Sequence, residues 1–327
     1  MTLNGKSTTQ NPKKVFITGI AGFIGFHLAL YLHDRGDFVC GCDNFNEYYD
    51  PDLKKKRARI LKDTGIQVIE SEIHNSPLLE KAISEHEITH FVHLAAQAGV
   101  RHSIQYPEQY VHANLDGFVQ VLEVCKRHPV MKFIYASSSS VYGLNQKVPF
   151  SEHDATDKPA SFYGATKKSN ELIAAAYHNI HGMDVTGLRF FTVYGPWGRP
   201  DMAYFSFTQR IMQGLPIQLF NQGQMKRDFT YIDDIVRGTA SAIDLGAKCE
   251  IFNLGNNRTE DLSELISIIE KLTGKKALKQ LLPMQTGDVT ITYADISKSQ
   301  DQLGYKPLVS LQEGMEHFMN WYRQYYR

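Results

Sequence analysis

The sequence is poor in cysteine, with 4 among 327 residues, and Cys40, Cys42, Cys125 and Cys249 contain no C-x2-C pair. That spacing excludes a zinc ribbon, a dithiol redox site and a disulfide scaffold, and leaves the thiols to be read as small core hydrophobes. No metal site is expected. Charge of one sign is lacking too, since 35 Lys and Arg stand against 35 Asp and Glu. Neither nucleic acid nor a membrane is therefore an expected partner, and any bound anion must meet a local site. No long apolar run occurs: Val15 to Leu32 comes nearest, and Thr18, Gly19, Gly22, Gly25 and His27 break it into strand, turn and helix. Met1 to Pro12 is polar and has no secretion-signal core, so we expect a flexible tail at 1–12 and a cytoplasmic protein. The basic cluster Lys54-Lys55-Lys56-Arg57 follows Pro51 in a helical segment and reads as a solvated face.

What is present is a 43% hydrophobic composition arranged in alternating β-rich and helical runs. The β-rich runs are Val15 to Ile17, Val39 to Asp43, Val68-Ile69, His90 to Leu94, Phe133 to Ser137 and Val185 to Phe190. Such alternation predicts an α/β fold with a doubly wound parallel sheet of Rossmann type over 13–188, with a return segment near 230–254. Glycine and proline then cluster at Gly195 to Pro200. The less regular remainder, 189–229 and 255–327, reads as a smaller C-terminal α/β lobe for the substrate, ending in an amphipathic helix near Leu311 to Tyr326.

The first strand runs into Gly19-x-x-Gly22-x-x-Gly25 and then a helical pattern. Gly19 suits a tight turn, Gly22 a close approach of pyrophosphate to backbone, and Gly25 close packing of helix on strand, with helix amides facing the phosphates. Asp43 ends the second strand, where a carboxylate accepts both adenosine ribose hydroxyls and repels a 2′-phosphate, which favours NAD over NADP. A plain strand-end turn residue is the alternative for Asp43. The strand Lys132 to Ala136 ends in the serines Ser137 to Ser140, and a later helix opens with Tyr163-x-x-x-Lys167. Residues four apart share a helix face, so Tyr163 and Lys167 can enter one pocket, where the ammonium and a cationic nicotinamide would favour the phenolate as a base. A chance surface pair is the alternative there.

Together these residues resemble the extended short-chain dehydrogenase/reductase family, and more closely its sugar-nucleotide epimerases, over about residues 13 to 325. Further carriers are His93-Leu94-Ala95-Ala96, Leu188 to Phe191, Arg227-Asp228-Phe229 and Gly287-Asp288-Val289. Three long strings, Asp43 to Pro51, Ala96 to Arg101 and Phe191 to Met202, are similar to the branch that acts on UDP-glucuronate. The resemblance implies NAD-dependent 4-epimerisation of UDP-glucuronate to UDP-galacturonate, without decarboxylation, in polysaccharide biosynthesis. It implies a UDP-sugar acid as substrate and a homodimer formed through helices around Glu108 to Arg127 and Tyr163 to His181.

By the same resemblance Ser138, Tyr163 and Lys167 are the catalytic residues. Gly19, Gly22, Phe23, Ile24, Gly25, Asp43 and Asn44 would line the cofactor, with Glu72, Ile73, Leu94, Ala95, Ala96, Gln97 and Phe191 beside Tyr163 and Lys167. Arg101, Ser139, Ser140, Thr192 and Arg199 would surround the sugar acid with Ser138 and Tyr163, and Arg227 and Asp288 would hold UDP. Glu72-Ile73 departs from the Asp-Ile of many relatives, and Gln285 from the arginine that galactose epimerases often carry. Dehydratases need an acid pair, and decarboxylating relatives a glutamate, where this chain has Ser139 and Ser140. The rival expectations are UDP-glucose/UDP-galactose 4-epimerisation and a non-catalytic NAD-binding sensor.

Overall fold

The computed structural model describes residues 12–129 and 131–326, so the expected tail lies outside the described residues except for Pro12. The apolar runs become seven strands: β1 (Lys14–Thr18), β2 (Phe38–Asp43), β3 (Gln67–Glu70), β4 (His90–His93), β5 (Lys132–Ser138), β6 (Asp184–Phe190) and β7 (Cys249–Leu254). Their order in the sheet is β7-β6-β5-β4-β1-β2-β3, and each neighbouring pair is parallel. Strands buried on both faces need no polar alternation, which is why Val15, Phe16 and Ile17 run together at no exposure. The chain leaves β1 for β2 on one side and crosses to β4 on the other. That reversal opens a crevice at the carboxyl ends of β1 and β4.

The run 230–254 folds as the helix Ile232–Leu245, packed on the helix Phe23–Asp34, followed by β7 beside β6. Between and after these come two-stranded ladders, Thr192–Tyr194 with Phe229–Tyr231 and Ile217–Leu219 with Lys279–Leu281. The last helix, Leu311–Tyr325, turns Leu311, Met315, Phe318, Met319 and Tyr322 inward at helical spacing. Its Trp321 meets Trp197 with ring centres 5.2 Å apart.

Two expectations are corrected. Cys40, Cys42 and Cys125 are buried as read, but Cys249 opens edge strand β7 and is exposed. The basic cluster is a solvated face only in part: Lys55 and Lys56 are exposed, but the helix Pro51–Asp63 turns Lys54 and Arg57 inward. Arg57 is fully buried and donates to Ala21 O (3.0 Å), Tyr49 Oη (2.9 Å), Trp197 O and Gly198 O (3.2 Å). Carbonyls from two segments and the Tyr49 hydroxyl engage both terminal nitrogens of a guanidinium that periodicity alone assigns to water.

Candidate active site

All of the sequence-predicted site residues line one cavity of about 1080 Å3 at the carboxyl edge of the sheet. At one end Gly19 turns the chain with φ 70° as β1 passes into the helix Phe23–Asp34. A Cβ on Gly25 would lie 2.2 Å from the Gly19 carbonyl oxygen, so only glycine lets the helix start this close to the strand. Gly22 is the N-cap, and no side chain caps the helix. The first-turn N–H groups therefore open onto the cavity edge, the arrangement that binds a phosphate. This bare cradle fits a dinucleotide diphosphate.

Asp43 closes the same end. Its Oδ2 accepts from Ala21 N (3.1 Å) and its Oδ1 from Phe45 N (2.9 Å). Burial raises its carboxyl above the ordinary value, opposed by those two N–H groups and by the charges of Lys54 and Arg57. Asn44 donates to both oxygens of Glu72 at 3.1 Å, so the departure at Glu72 is absorbed by a local bond. The loop Leu94 to Gln97 follows β4. Thr18 Oγ1 meets His93 Nδ1 at 2.8 Å and accepts from Ala95 N at 3.3 Å. Gln97 N donates to Asn114 Oδ1 (2.8 Å), and Asn114 Nδ2 returns to Gln97 O (2.9 Å). Asn114 sits in a π-helical turn, Val111–Asp116, and sequence reasoning missed it: a lone asparagine in a helical run carries no local signal.

At the other end the helix Phe162–His181 starts at Ser161, whose Oγ accepts from Gly164 N (3.0 Å). Its first turn carries Tyr163 to the end of β5. Burial raises the Tyr163 phenol, while a hydrogen bond with the Ser138 hydroxyl and the charge of Arg199 oppose that rise. Lys167 donates from Nζ to the Ala136 carbonyl at 3.0 Å and burial lowers it to about 8, while Arg199 is a second cation whose charge opposes the rise of the Tyr163 phenol. Ser138 also accepts from Ser140 N (3.1 Å), so capping falls to Ser138 while Ser139 and Ser140 stay half-buried on the cavity wall. One helical turn beyond Lys167, Glu171 accepts from Arg189 Nε and Nη2, both at 2.8 Å, and from Ser137 Oγ at 2.7 Å. That buried pair ties the helix to β5 and β6.

The two arginines expected around the sugar acid line the same cavity and take different partners. Arg101 Nη2 meets Asp288 Oδ2 at 2.9 Å and stacks 4.3 Å from the Phe220 ring centre, in the electrostatic neighbourhood of Arg227. Arg199 instead pairs with Asp201, beside Tyr48 and in the electrostatic neighbourhood of Tyr163; half-buried Thr192 lines the same cavity. Phe191 is buried directly after β6 and lines the same cavity.

A doubly wound parallel sheet with a bare glycine cradle, a strand-end serine and a Tyr-x-x-x-Lys helix in one cavity defines a nucleotide-dependent enzyme of the short-chain dehydrogenase/reductase class. The chain belongs to the NAD dependent epimerase/dehydratase family, whose profile matches residues 15–255. It is 50% identical to UDP-glucuronate 4-epimerase 4 of Arabidopsis thaliana, across 98% of this chain and 78% of that one. The crystal structure of UDP-glucuronic acid 4-epimerase from Bacillus cereus, in complex with UDP-glucuronic acid and NAD, aligns with TM-score 0.90 at 37% identity. That alignment covers 96% of this chain and all of the other, at 100%. UDP-glucose 4-epimerase of Thermotoga maritima aligns with TM-score 0.86 at 31% identity over 96% and 100% of the two chains.

Proposed function

We propose that this protein interconverts UDP-glucuronate and UDP-galacturonate by NAD-dependent epimerisation at C4, through a 4-keto sugar and without loss of CO2. The observation that carries the reading is the placement of Ser138, Tyr163 and Lys167 in the same cavity as the bare glycine cradle, with serines rather than acids at 139 and 140. In this reading 13–188, with the return at 230–254, holds NAD, and 189–229 with 255–327 holds the sugar nucleotide.

Gly19 to Gly25, Asp43 and the Leu94 to Gln97 loop would hold the cofactor. When bound, NAD supplies a reversible hydride acceptor at C4. Tyr163 takes the proton of the C4 hydroxyl and later gives it back, and Ser138 donates to the same oxygen. Lys167, held by the Ala136 carbonyl, orients the nicotinamide ribose. Arg101, Arg227 and Asp288 hold the UDP part. Arg199 meets the sugar carboxylate.

A 4-keto glucuronate is a β-keto acid, which loses CO2 when its carboxylate bond lines up with the ketone π system. Ser139, Ser140 and Thr192 would deny that alignment by donating to the carboxylate. No carboxylic acid stands at 139 or 140 to assist the loss.

We propose a homodimer through the helices around Glu108 to Arg127 and Phe162–His181, supported by Leu172 and Ile180, which are 61% and 72% exposed on the latter. Four free cysteines suit a reducing compartment, and the cytoplasm is the one proposed. No helix of the described residues is long and apolar enough to cross a membrane.

Incubating the purified protein with UDP-glucuronate and no added NAD tests the reading by NMR. The expected product is UDP-galacturonate. A UDP-pentose, or no turnover with NAD bound, would overturn it.

A further inference from the structure

The three long strings of the sequence meet at one corner of the cavity. The first supplies Tyr48, the second Gly99, and the third Arg199 and Asp201. Asp201 accepts Arg199 Nε on Oδ1 (3.0 Å) and Arg199 Nη2 on Oδ2 (2.6 Å), and Oδ2 also accepts the Tyr48 hydroxyl at 3.1 Å. The Arg199 guanidinium stands 5.7 Å from the centre of the Tyr48 ring. Gly99, with φ 105°, forms the seat of that tyrosine: a Cβ there would lie 2.2 Å from the Tyr48 hydroxyl oxygen.

The chain on the far side is fixed as well. Trp197, two residues before Arg199, has φ 59°, a left-handed backbone that only surrounding contacts sustain in a residue of its size. Buried Arg57 supplies them through the Trp197 and Gly198 carbonyls. The backbone leading into Arg199 is therefore held in place, and its side chain is paired with Asp201. Burial alone would lower the Arg199 guanidinium, and Asp201 outweighs it; Arg199 and Tyr48 in turn hold the Asp201 carboxyl below its ordinary value against burial.

Arg199 thus faces the cavity already matched by a carboxylate. An incoming sugar acid must share the guanidinium with Asp201. An arginine with its whole fork free would form a bidentate bond to the carboxylate and hold one sugar orientation tightly. Epimerisation requires the opposite, because the keto sugar must present its second face before hydride returns. Tight binding of the ground state alone adds nothing to the chemical step.

We propose that Asp201, braced by Tyr48 in the Gly99 seat, is a positioning residue that tempers Arg199, so that the acid is recognised yet the keto sugar remains free to turn. This rests on the UDP-sugar acid reading above. Steady-state kinetics of the NAD-bound enzyme test it with D201N, which keeps shape and removes charge, and with Y48F, which removes the brace. With D201N the KM for UDP-glucuronate should fall about tenfold and kcat at least as far, the scale of one charge-assisted hydrogen bond. The inhibition constant of neutral UDP-glucose should not move. Y48F should act in the same direction with a smaller effect, and it decides the matter if D201N does not retain NAD.

A raised KM for UDP-glucuronate, or parallel changes for the acid and the neutral sugar, would overturn the proposal by showing a merely structural role. If the unmodified enzyme does not epimerise UDP-glucuronate, the substrate reading falls and this inference with it. If it does and D201N raises KM, the inference falls alone.

Discussion

At the nucleotide end of the cavity the chain offers main-chain groups: a glycine turn, an uncapped helix start and one carboxylate held by backbone N–H groups. At the end proposed for the sugar nucleotide the polar groups are side chains engaged with partners, Arg199 with Asp201 and Arg101 with Asp288, with Lys167 on a carbonyl between the two ends. The first end is preorganised by covalent geometry and by the space where a Cβ would clash. The second also draws on residues distant in the chain, such as Arg101 and Asp288, which are 187 positions apart. A fixed cradle suits a cofactor that stays, and a set of shared side-chain bonds suits a sugar that must turn.

The largest effect should come from the sugar end. Tyr163→Phe should lower turnover by roughly 10²–10⁴-fold, the usual worth of a placed proton-transfer group, while bound NAD and melting temperature stay near normal. Loss of NAD in that variant would show that the two ends are not separable.

Lys167→Met should separate function from stability. The folded value of about 8 lies below the ordinary 10.5, so the native state disfavours the ammonium. The cost is fully present below about 8 and is relieved as pH rises toward the unfolded value. The variant should therefore be inactive yet more stable than the parent at pH 7, by on the order of 3 kcal/mol in urea unfolding, with the gap closing from pH 8 toward 10. A destabilised variant at pH 7 would refute the burial argument.

Changing Ser139, Ser140 and Thr192 together to alanine should raise UDP-4-keto-pentose and CO2 by roughly tenfold to a hundredfold relative to UDP-galacturonate. An unchanged product ratio by NMR would place the restraint on the carboxylate elsewhere. The smallest effect belongs to the nucleotide end: Asp43→Asn should cut the preference for NAD over NADP by about tenfold in dinucleotide titration of stripped protein. Equal affinities already in the parent would remove Asp43 from that role.

The legibility of the two ends differed for the same physical reason. β1 to β6 stood out as apolar runs because both faces of a parallel sheet are buried, and Gly19, Gly22 and Gly25 announced a turn that other residues cannot make. Arg57 did not, because its buried guanidinium donates to the Ala21, Trp197 and Gly198 carbonyls, which no local pattern reports. Asn114 was missed likewise, and Asp201 lay inside one of the three long strings but was given no role. Arg101 and Arg199 were both legible as functional cations; Arg199 pairs locally with Asp201 two residues on, whereas the pairing of Arg101 with Asp288 is a tertiary contact.

The most direct test of a resident cofactor serving a turning sugar is to supply UDP-glucuronate deuterated at C4 to the protein as purified, and to follow the label by NMR. The account predicts UDP-galacturonate that retains deuterium at C4, with no exchange into solvent and no need for added NAD. Loss of the label to water, or a requirement for added NAD in every turnover, would contradict it.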